Sequence, residues 1–520
     1  MQTPPSAALA ELFQQAFATL PQVLRLHAQE RPDHVAVIDG ERRTTYAELD
    51  QLVDRAAVAL SRDGVKAGGA AAICALSSLE YVVTFLAALR IGAAAAPLAP
   101  SSTAESLLVM LNDCGAPVLV LDATTAKTLE PVADRITAKR VAGDGSGVGV
   151  AFADWLAPEG STPQTVEAQP NDAFNIIYSS GTTGAPKGIV QPNIMRWHQM
   201  RSAFYDADAI TVVSTPLYSN TTLVSVIPTL AWGGTLVLMS KFDAEKFLGL
   251  SQQHRATHTM LVPVQYRRLM ERPDFDAYDL STYRMKFCTS APFGAALKAD
   301  ILKRWPGGLT EFYGMTEGGG SCMLLAHDHP DKLGTVGRPM PGHEMQVIDE
   351  EGALLPPGEI GEVVGRSASM MVGYHNQPGK TAEAEWRDAD GSRWIRTGDV
   401  GRFDEEGFLT LMDRKKDMII SGGFNIYPSD IEHELHQHPD VAESAVIGVP
   451  SDAWGETPIA YVALKPGSAV TADEVKAWVN ARVGKTQRLA DLRLSEALPR
   501  SAIGKVLKRE LRDAYVATPA

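Results

Sequence analysis

The sequence predicts an α/β protein with a large body and a smaller C-terminal domain, on three observations. Its 520 residues exceed what one hydrophobic core ordinarily supports. Short apolar runs alternate with amphipathic segments, the pattern of a mostly parallel sheet covered by helices. A charged segment, Asp413-Arg414-Lys415-Lys416-Asp417, then separates the body from a C-terminal stretch that again alternates helix and strand. The division expected is therefore 1–413 and 414–520.

In chain order, 35–39 reads as a strand, 46–62 as a helix, 71–76 as a strand, 79–91 as a helix and 118–121 as a strand. The most apolar region, 70–100, is interrupted by Glu80 and Arg90 and closes on a Gly/Pro turn, so it reads as buried strand, helix and strand and not as a membrane span. Residues 141–168, rich in Gly, Pro and Thr, read as a surface connection. A strand at 173–178 runs into a glycine-rich loop, and strand–helix alternation continues to about 330. From 335 to 410 short strands and turns dominate, as at 345–349 and 362–365, with a strand-turn-strand over 400–412. Ser429 and Asp430 are placed to start a helix over 431–437.

Composition narrows the partners. Hydrophobic residues make up 45% and charged residues 21%, an ordinary globular balance. The net charge of -14 disfavours duplex nucleic acid, which needs a basic surface, but not a nucleotide held by a few local donors. Cys74, Cys114, Cys288 and Cys322 are scattered, with no CxxC and no metal-like spacing, which fits a reducing, cytoplasmic setting. Residues 1–30 show no basic start followed by an apolar core, so no secretory signal is expected.

The strongest local signal is Tyr178-Ser179-Ser180-Gly181-Thr182-Thr183-Gly184-Ala185-Pro186-Lys187-Gly188. Glycines let backbone N–H groups approach a ligand, hydroxyls add donors, and a lysine adds charge; together they suit a polyphosphate. The spacing is not that of the GxxxxGK[ST] loop. The string resembles the phosphate-binding loop of the adenylate-forming enzymes, which include acyl- and aryl-CoA synthetases, luciferases and peptide-synthetase adenylation domains. Further matches follow in the family's order and cover nearly the whole chain.

That resemblance implies a luciferase-like fold: a large N-terminal domain of α/β sheets with a small β-barrel-like region, and a small mobile C-terminal α+β domain. It implies ATP, Mg²⁺ and CoA as co-substrates and cofactor, a carboxylic acid as the other substrate, and a bias toward homodimers. Ser179, Ser180, Gly181, Thr182, Thr183, Gly184 and Lys187 would cradle the phosphates, Thr183 also touching Mg²⁺. In Tyr313-Gly314-Met315-Thr316-Glu317, the aromatic face would lie against adenine, Thr316 would bond the α-phosphate and Glu317 would hold Mg²⁺. In Thr397-Gly398-Asp399, Asp399 would accept the ribose hydroxyls, with Arg414 adding charge nearby.

Lys416 falls where the family hinges between two half-reactions. Ser421, Gly422 and Gly423, with Trp454, fall where similar ligases line the CoA path. Lys505, in Pro499-Arg500-Ser501-Ala502-Ile503-Gly504-Lys505, is the implied catalytic lysine, its ammonium offsetting charge on the pentavalent phosphorus.

The implied acid pocket is walled by Tyr218, Ser219, Thr289, Ser290, Ala291, Gly318 and Gly319. Ser219 stands where many CoA ligases carry a histidine, and Pro192-Asn193 replaces a common Thr-His pair. No aspartate lies in Pro216-Leu217-Tyr218-Ser219-Asn220 to hold an amino group, which disfavours an amino-acid substrate. Small walls and glycines fit a medium-to-long acyl chain or an aryl acid. The alternatives are transfer to a carrier-protein thiol or an amine, and a non-catalytic relative; the joint presence of Lys187, Glu317, Asp399 and Lys505 argues against the last.

Overall fold

A computed structural model describes residues 4–179, 186–421, 424–451, 454–501 and 505–517. By contacts the chain forms two compact units: 1–334 with 339–344 and 365–395, and 335–338 with 345–364 and 396–520.

The first unit holds the expected α/β body. One sheet has nine strands; 35–39, 210–213, 235–238, 258–261, 285–288 and 308–315 form its parallel part, and Gly318–Leu325 returns antiparallel on Gly308–Met315. A second, eight-stranded sheet is parallel through Ala70–Cys74, Ala94–Pro97, Val118–Leu121 and Lys139–Ala142, and continues through the hairpin of Ala173–Ser179 with Lys187–Pro192 to the edge strand Gly373–Tyr374.

Local chemistry explains the elements. Helix Tyr46–Arg62 starts at a capping box in which the Thr45 side chain accepts from the Glu48 N–H and Glu48 reaches back to the Thr45 N–H. Leu49, Val53, Ala56, Ala57 and Leu60 recur at helical spacing and are buried. Helix Leu79–Arg90 is buried on all sides, which the alanine-rich strands Ala70–Cys74 and Ala94–Pro97 permit by offering little side-chain bulk. Its one buried cation, Arg90, is matched by Asp50 and Asp54 at 2.6 and 2.7 Å.

The segment expected as a plain connection is partly ordered: Val150–Ala151 extends the second sheet, and helix Phe152–Trp155 buries Trp155, whose Nε1 donates to Asp63 at 2.7 Å.

In the second unit, residues 399–403 of strand Arg393–Phe403 pair antiparallel with Leu409–Arg414. The C-terminal part is α+β: strands Ile419–Ser421, Phe424–Ile426, Val441–Ser451, Gly455–Leu464 and Asp491–Leu494 form one sheet with helices Pro428–His436, Ala472–Asn480 and Lys508–Ala517. Its core gathers Ile419, Ile431, Leu435, Val446, Val462 and Val475. Helix Pro428–His436 begins at its proline, not at the expected Ser429-Asp430 cap. Its Ser429 N–H is satisfied from a distance, by Asp413 Oδ2 at 3.0 Å.

All four cysteines are free and buried. No described helix is long and apolar enough to cross a membrane.

Candidate active site

Of the glycine-rich loop, Ser180, Gly181, Thr182, Thr183 and Gly184 lie outside the described residues. Its two ends are described, and they are clamped together. Ser179 closes one strand, Lys187 opens the next, and the two are register partners in an antiparallel pair. Gly188 follows, where a Cβ would stand 2.9 Å from Ile176 Cγ2 and 3.0 Å from Tyr178 Cε1; the close packing behind the loop needs glycine.

Thr316 and Glu317 are the two residues at the tip of a hairpin, between Met315 and its partner Gly318. Gly318 has φ +77, and a Cβ there would lie 2.0 Å from the Ser369 carbonyl oxygen; at Gly319, φ +79, it would lie 2.9 Å from the Gly365 carbonyl oxygen. Both positions thus demand glycine for backbone approach, a reason independent of any acyl group. The neighbouring segment also holds the tip: the Met371 N–H donates to the Glu317 carbonyl at 2.8 Å.

Tyr374, which the sequence reading passed over, ties two expected phosphate-site residues together. Its hydroxyl donates to Glu317 Oε1 at 2.8 Å, and the Lys187 ammonium lies 5.0 Å from the centre of its ring. Burial and the Glu317 carboxylate push the Tyr374 phenol upward, so it stays a donor. Tyr313 is itself 9% exposed on the strand leading to the tip.

Behind the tip lies a second missed group. Arg196 is fully buried, and among the described residues its guanidinium donates to amide oxygens: Asn220 Oδ1 at 2.8 Å, Gln199 Oε1 at 2.7 Å, Asn175 Oδ1 at 3.3 Å, and Gln191 Oε1. Gln191 in turn donates to the Thr316 carbonyl at 2.6 Å. Burial lowers the Arg196 pKa to about 9, which leaves it charged at neutral pH. The available signal was its place in helix Asn193–Met200: Asn193, Arg196 and Met200 share one buried face.

The expected acid wall is only partly joined. Ser219 is the N-cap of helix Asn220–Ala231, its hydroxyl accepting from the Thr221 N–H at 3.3 Å, and is buried. Ser290 has φ +82, an uncommon conformation for a non-glycine residue, and its hydroxyl meets that of Thr221. Thr289, Ser290 and Ala291 are half-buried. Tyr218 is half-buried and turned to Ser101, burial raising its phenol.

In the second unit, Asp399 and Arg414 are register partners, with Arg414 Nε 2.9 Å from Asp399 Oδ1. Lys416 lies in the turn after strand Leu409–Arg414, and partial burial lowers its pKa. Lys505 is exposed at its surface, but protein crowding around it, followed by the Arg414 and Lys416 charges, lowers its pKa to about 8. Asp399, Arg414, Lys416 and Lys505 therefore share one electrostatic neighbourhood. Ser421 is buried, and its register partner Gly455 follows Trp454, which is 61% exposed. Gly422 and Gly423 lie outside the described residues.

One carboxylate at a hairpin tip, with a single oxygen already bonded, can still take a divalent cation whose shell is completed by a polyphosphate. Among the described residues no group of three or more His, Cys, Asp or Glu is placed to hold a metal on its own.

Known proteins resemble this chain over nearly its whole length. The model of the AMP-binding enzyme family matches residues 24–375, and that of the AMP-binding enzyme C-terminal domain matches 430–505. A feruloyl-CoA synthase from an Amycolatopsis species is 34% identical over 493 residues, 93% of this chain and 96% of the relative. The long-chain-fatty-acid–CoA ligase FadD13 of Mycobacterium tuberculosis is 32% identical over 507 residues, 95% and 98% of the two chains. Among solved structures, ATP-bound MatB from Rhodopseudomonas palustris superposes with a TM-score of 0.85 at 29% identity, covering 96% of this chain and 99% of MatB.

Proposed function

The chain belongs to the AMP-binding enzyme family, and on that premise we propose that it is a cytoplasmic ATP-dependent acid–CoA ligase acting on an aryl or fatty carboxylic acid. In the first step a carboxylate oxygen of the acid attacks the α-phosphorus of ATP and pyrophosphate leaves with the bond electrons. In the second, the CoA thiolate attacks the acyl carbon of the adenylate and AMP leaves. A feruloyl-CoA synthase and a long-chain-fatty-acid–CoA ligase among the relatives support this choice of substrates.

The observation that carries the reading is the cluster of Lys187, Tyr374 and Glu317 at the hairpin tip. In it a cation and a carboxylate are held together where the ends of the phosphate loop are clamped. Lys187 and the loop residues Ser179 to Gly184 bind the phosphates, Thr316 bonds the α-phosphate and Tyr313 borders adenine. Glu317, fixed through Tyr374, would hold Mg²⁺ with the phosphates of ATP, and Thr183 is a further contact. When bound, that ion neutralises charge on the phosphates.

Asp399 receives the ribose hydroxyls beside Arg414, and Lys505 places its ammonium between the acid's carboxylate and the α-phosphate. The two anions repel, so alignment and charge compensation account for most of the acceleration. A chain that divides its work at Lys416 can then present Ser421, Gly422, Gly423 and Trp454 to CoA.

The test is pyrophosphate release across aryl, fatty and dicarboxylic acids, with and without CoA. Release that CoA stimulates for one acid class supports the reading. Release indifferent to CoA assigns the acyl group to another thiol or an amine, and Lys505→Ala with undiminished adenylate formation removes Lys505 from its role.

A further inference from the structure

Between helix Asn220–Ala231 and strands Met285–Cys288 and Gly308–Met315, the interior of the first unit is filled with rings. Phe287 stacks on Phe312 with centroids 5.7 Å apart and planes 25° apart. Phe204 meets Phe287 edge-on at 5.5 Å and Phe312 at 6.5 Å. Val224, from the helix, packs against the same group. The stack is backed from below: Tyr205 stacks on Phe287 at 5.7 Å and on His258 at 4.6 Å, and the His258 ring nitrogen Nε2 bonds the Phe204 carbonyl at 2.8 Å.

The position of these rings follows from strand register. Cys288 is paired with Glu311, so Phe312 lies beside Thr289, immediately before Tyr313 in its strand. The Thr221–Ser290 hydroxyl contact ties the first turn of the helix to the chain leaving strand Met285–Cys288. Val224 is one helical turn deeper than Thr221, and Phe287 is three residues deeper than Ser290. The polar residues Thr221, Thr289 and Ser290 are therefore a rim, at the carboxyl ends of the strands where ligands of α/β sheets sit. Val224, Phe287 and Phe204 are the floor, and Phe312, level with Thr289 in its strand, stacks onto Phe287 and so stands over that floor. Val224, Phe204 and Phe312 each keep part of their surface uncovered, whereas Phe287 and Tyr205 behind them are buried.

We propose that Phe312, seated with Phe204, Phe287 and Val224, ends the acyl pocket short and restricts the enzyme to short-chain or single-ring carboxylic acids. The proposal rests on the ligase reading above and narrows it, because long-chain fatty acids fall outside it. A longer chain would have to pass the plane of the Phe312 ring. That ring cannot swing aside without breaking its stack on Phe287, which Tyr205 and His258 hold in place.

The experiment is ATP-dependent pyrophosphate release with benzoate and with straight-chain acids from acetate to palmitate, on the wild-type protein and on Phe312→Ala. Phe312→Leu and Val224→Ala serve as milder variants, and thermal midpoints verify that each is folded. The wild type is expected to favour benzoate or a short acid, with kcat/KM falling at least about a hundredfold by palmitate. Phe312→Ala is expected to raise kcat/KM for octanoate and decanoate by about tenfold or more, without a matching gain for acetate. The two milder variants shift the profile in the same direction by less.

Palmitate turned over by the wild type as well as the short acids overturns the proposal. So does a folded Phe312→Ala or Phe312→Leu with the wild-type chain-length profile, and in both cases the ligase reading stands. Silence from every acid, in wild type and variants alike, overturns the ligase reading and this inference with it.

Discussion

Lys505 gives the sharpest test of the proposed adenylation step. Its ammonium is held down to about 8 by crowding and by the cations Arg414 and Lys416, against an ordinary lysine near 10.5. If the protonated form is the working one, its fraction is about nine-tenths one pH unit below that value and about one-tenth one unit above it. Between those two points kcat/KM for adenylate formation should fall roughly tenfold, in a range where an unperturbed lysine would still be charged. Bound ATP favours the ammonium, so the fall in kcat should lie at higher pH than the fall in kcat/KM.

The assay is pyrophosphate release without CoA across this range, in one buffer series at constant ionic strength, for wild type and Lys505→Arg. Arginine remains charged throughout, so the variant, whatever its absolute rate, should show a flat alkaline limb. A wild-type profile with no fall until above about pH 10, or a variant that falls in step with it, would refute the argument.

Four further outcomes follow from the first unit. Tyr374→Phe removes the hydroxyl from Glu317, and the half-saturating Mg²⁺ concentration for pyrophosphate release should rise several-fold while the fold is kept; an unchanged Mg²⁺ dependence would separate Glu317 from the metal. Arg196→Met strips the amide oxygens of Asn175, Gln191, Gln199 and Asn220 of their donor, and denaturant unfolding should register a loss of about 3–5 kcal/mol. Gly318→Ala puts a Cβ against the Ser369 carbonyl at positive φ and should cost about 2–5 kcal/mol. Gly249→Ala, in helix Ala244–Gln253 with open space at its Cβ, should by contrast add about 0.5–1 kcal/mol to stability.

Where periodicity and a cap coincided, the sequence was readable almost residue for residue. The helix Tyr46–Arg62 combines a capping box with an apolar stripe, and Val118–Leu121 is a continuous apolar run. Residues 141–168 were not readable, because a two-residue strand and a single helical turn contain too few repeats to show a period. Caps supplied from far along the chain are also invisible locally, so Ser429 reads as a cap when Asp413 provides the acceptor. At the site, contiguous motifs such as Thr316-Glu317 stood out. Tyr374, Gln191 and Arg196 did not, because each is a single polar residue whose meaning lies in a partner more than twenty positions away or on another strand. Ser219 had a structural role as an N-cap hidden beneath a motif position, and residue type alone does not distinguish the two.

The contact between Asp413 and the Ser429 N–H bears on how the second unit could reorient. Residues 396–415 and 416–520 lie in one compact unit, and this hydrogen bond spans Lys416, as does the proximity of Asp413 to Lys508. A turn about Lys416 is thus not a swing of a free tether. It would first have to separate the first turn of helix Pro428–His436 from the strand end that holds it, leaving a donor and an acceptor to be met by water. If the chain does turn at Lys416, that step is activated and has a resting state, with a rate sensitive to residue 413.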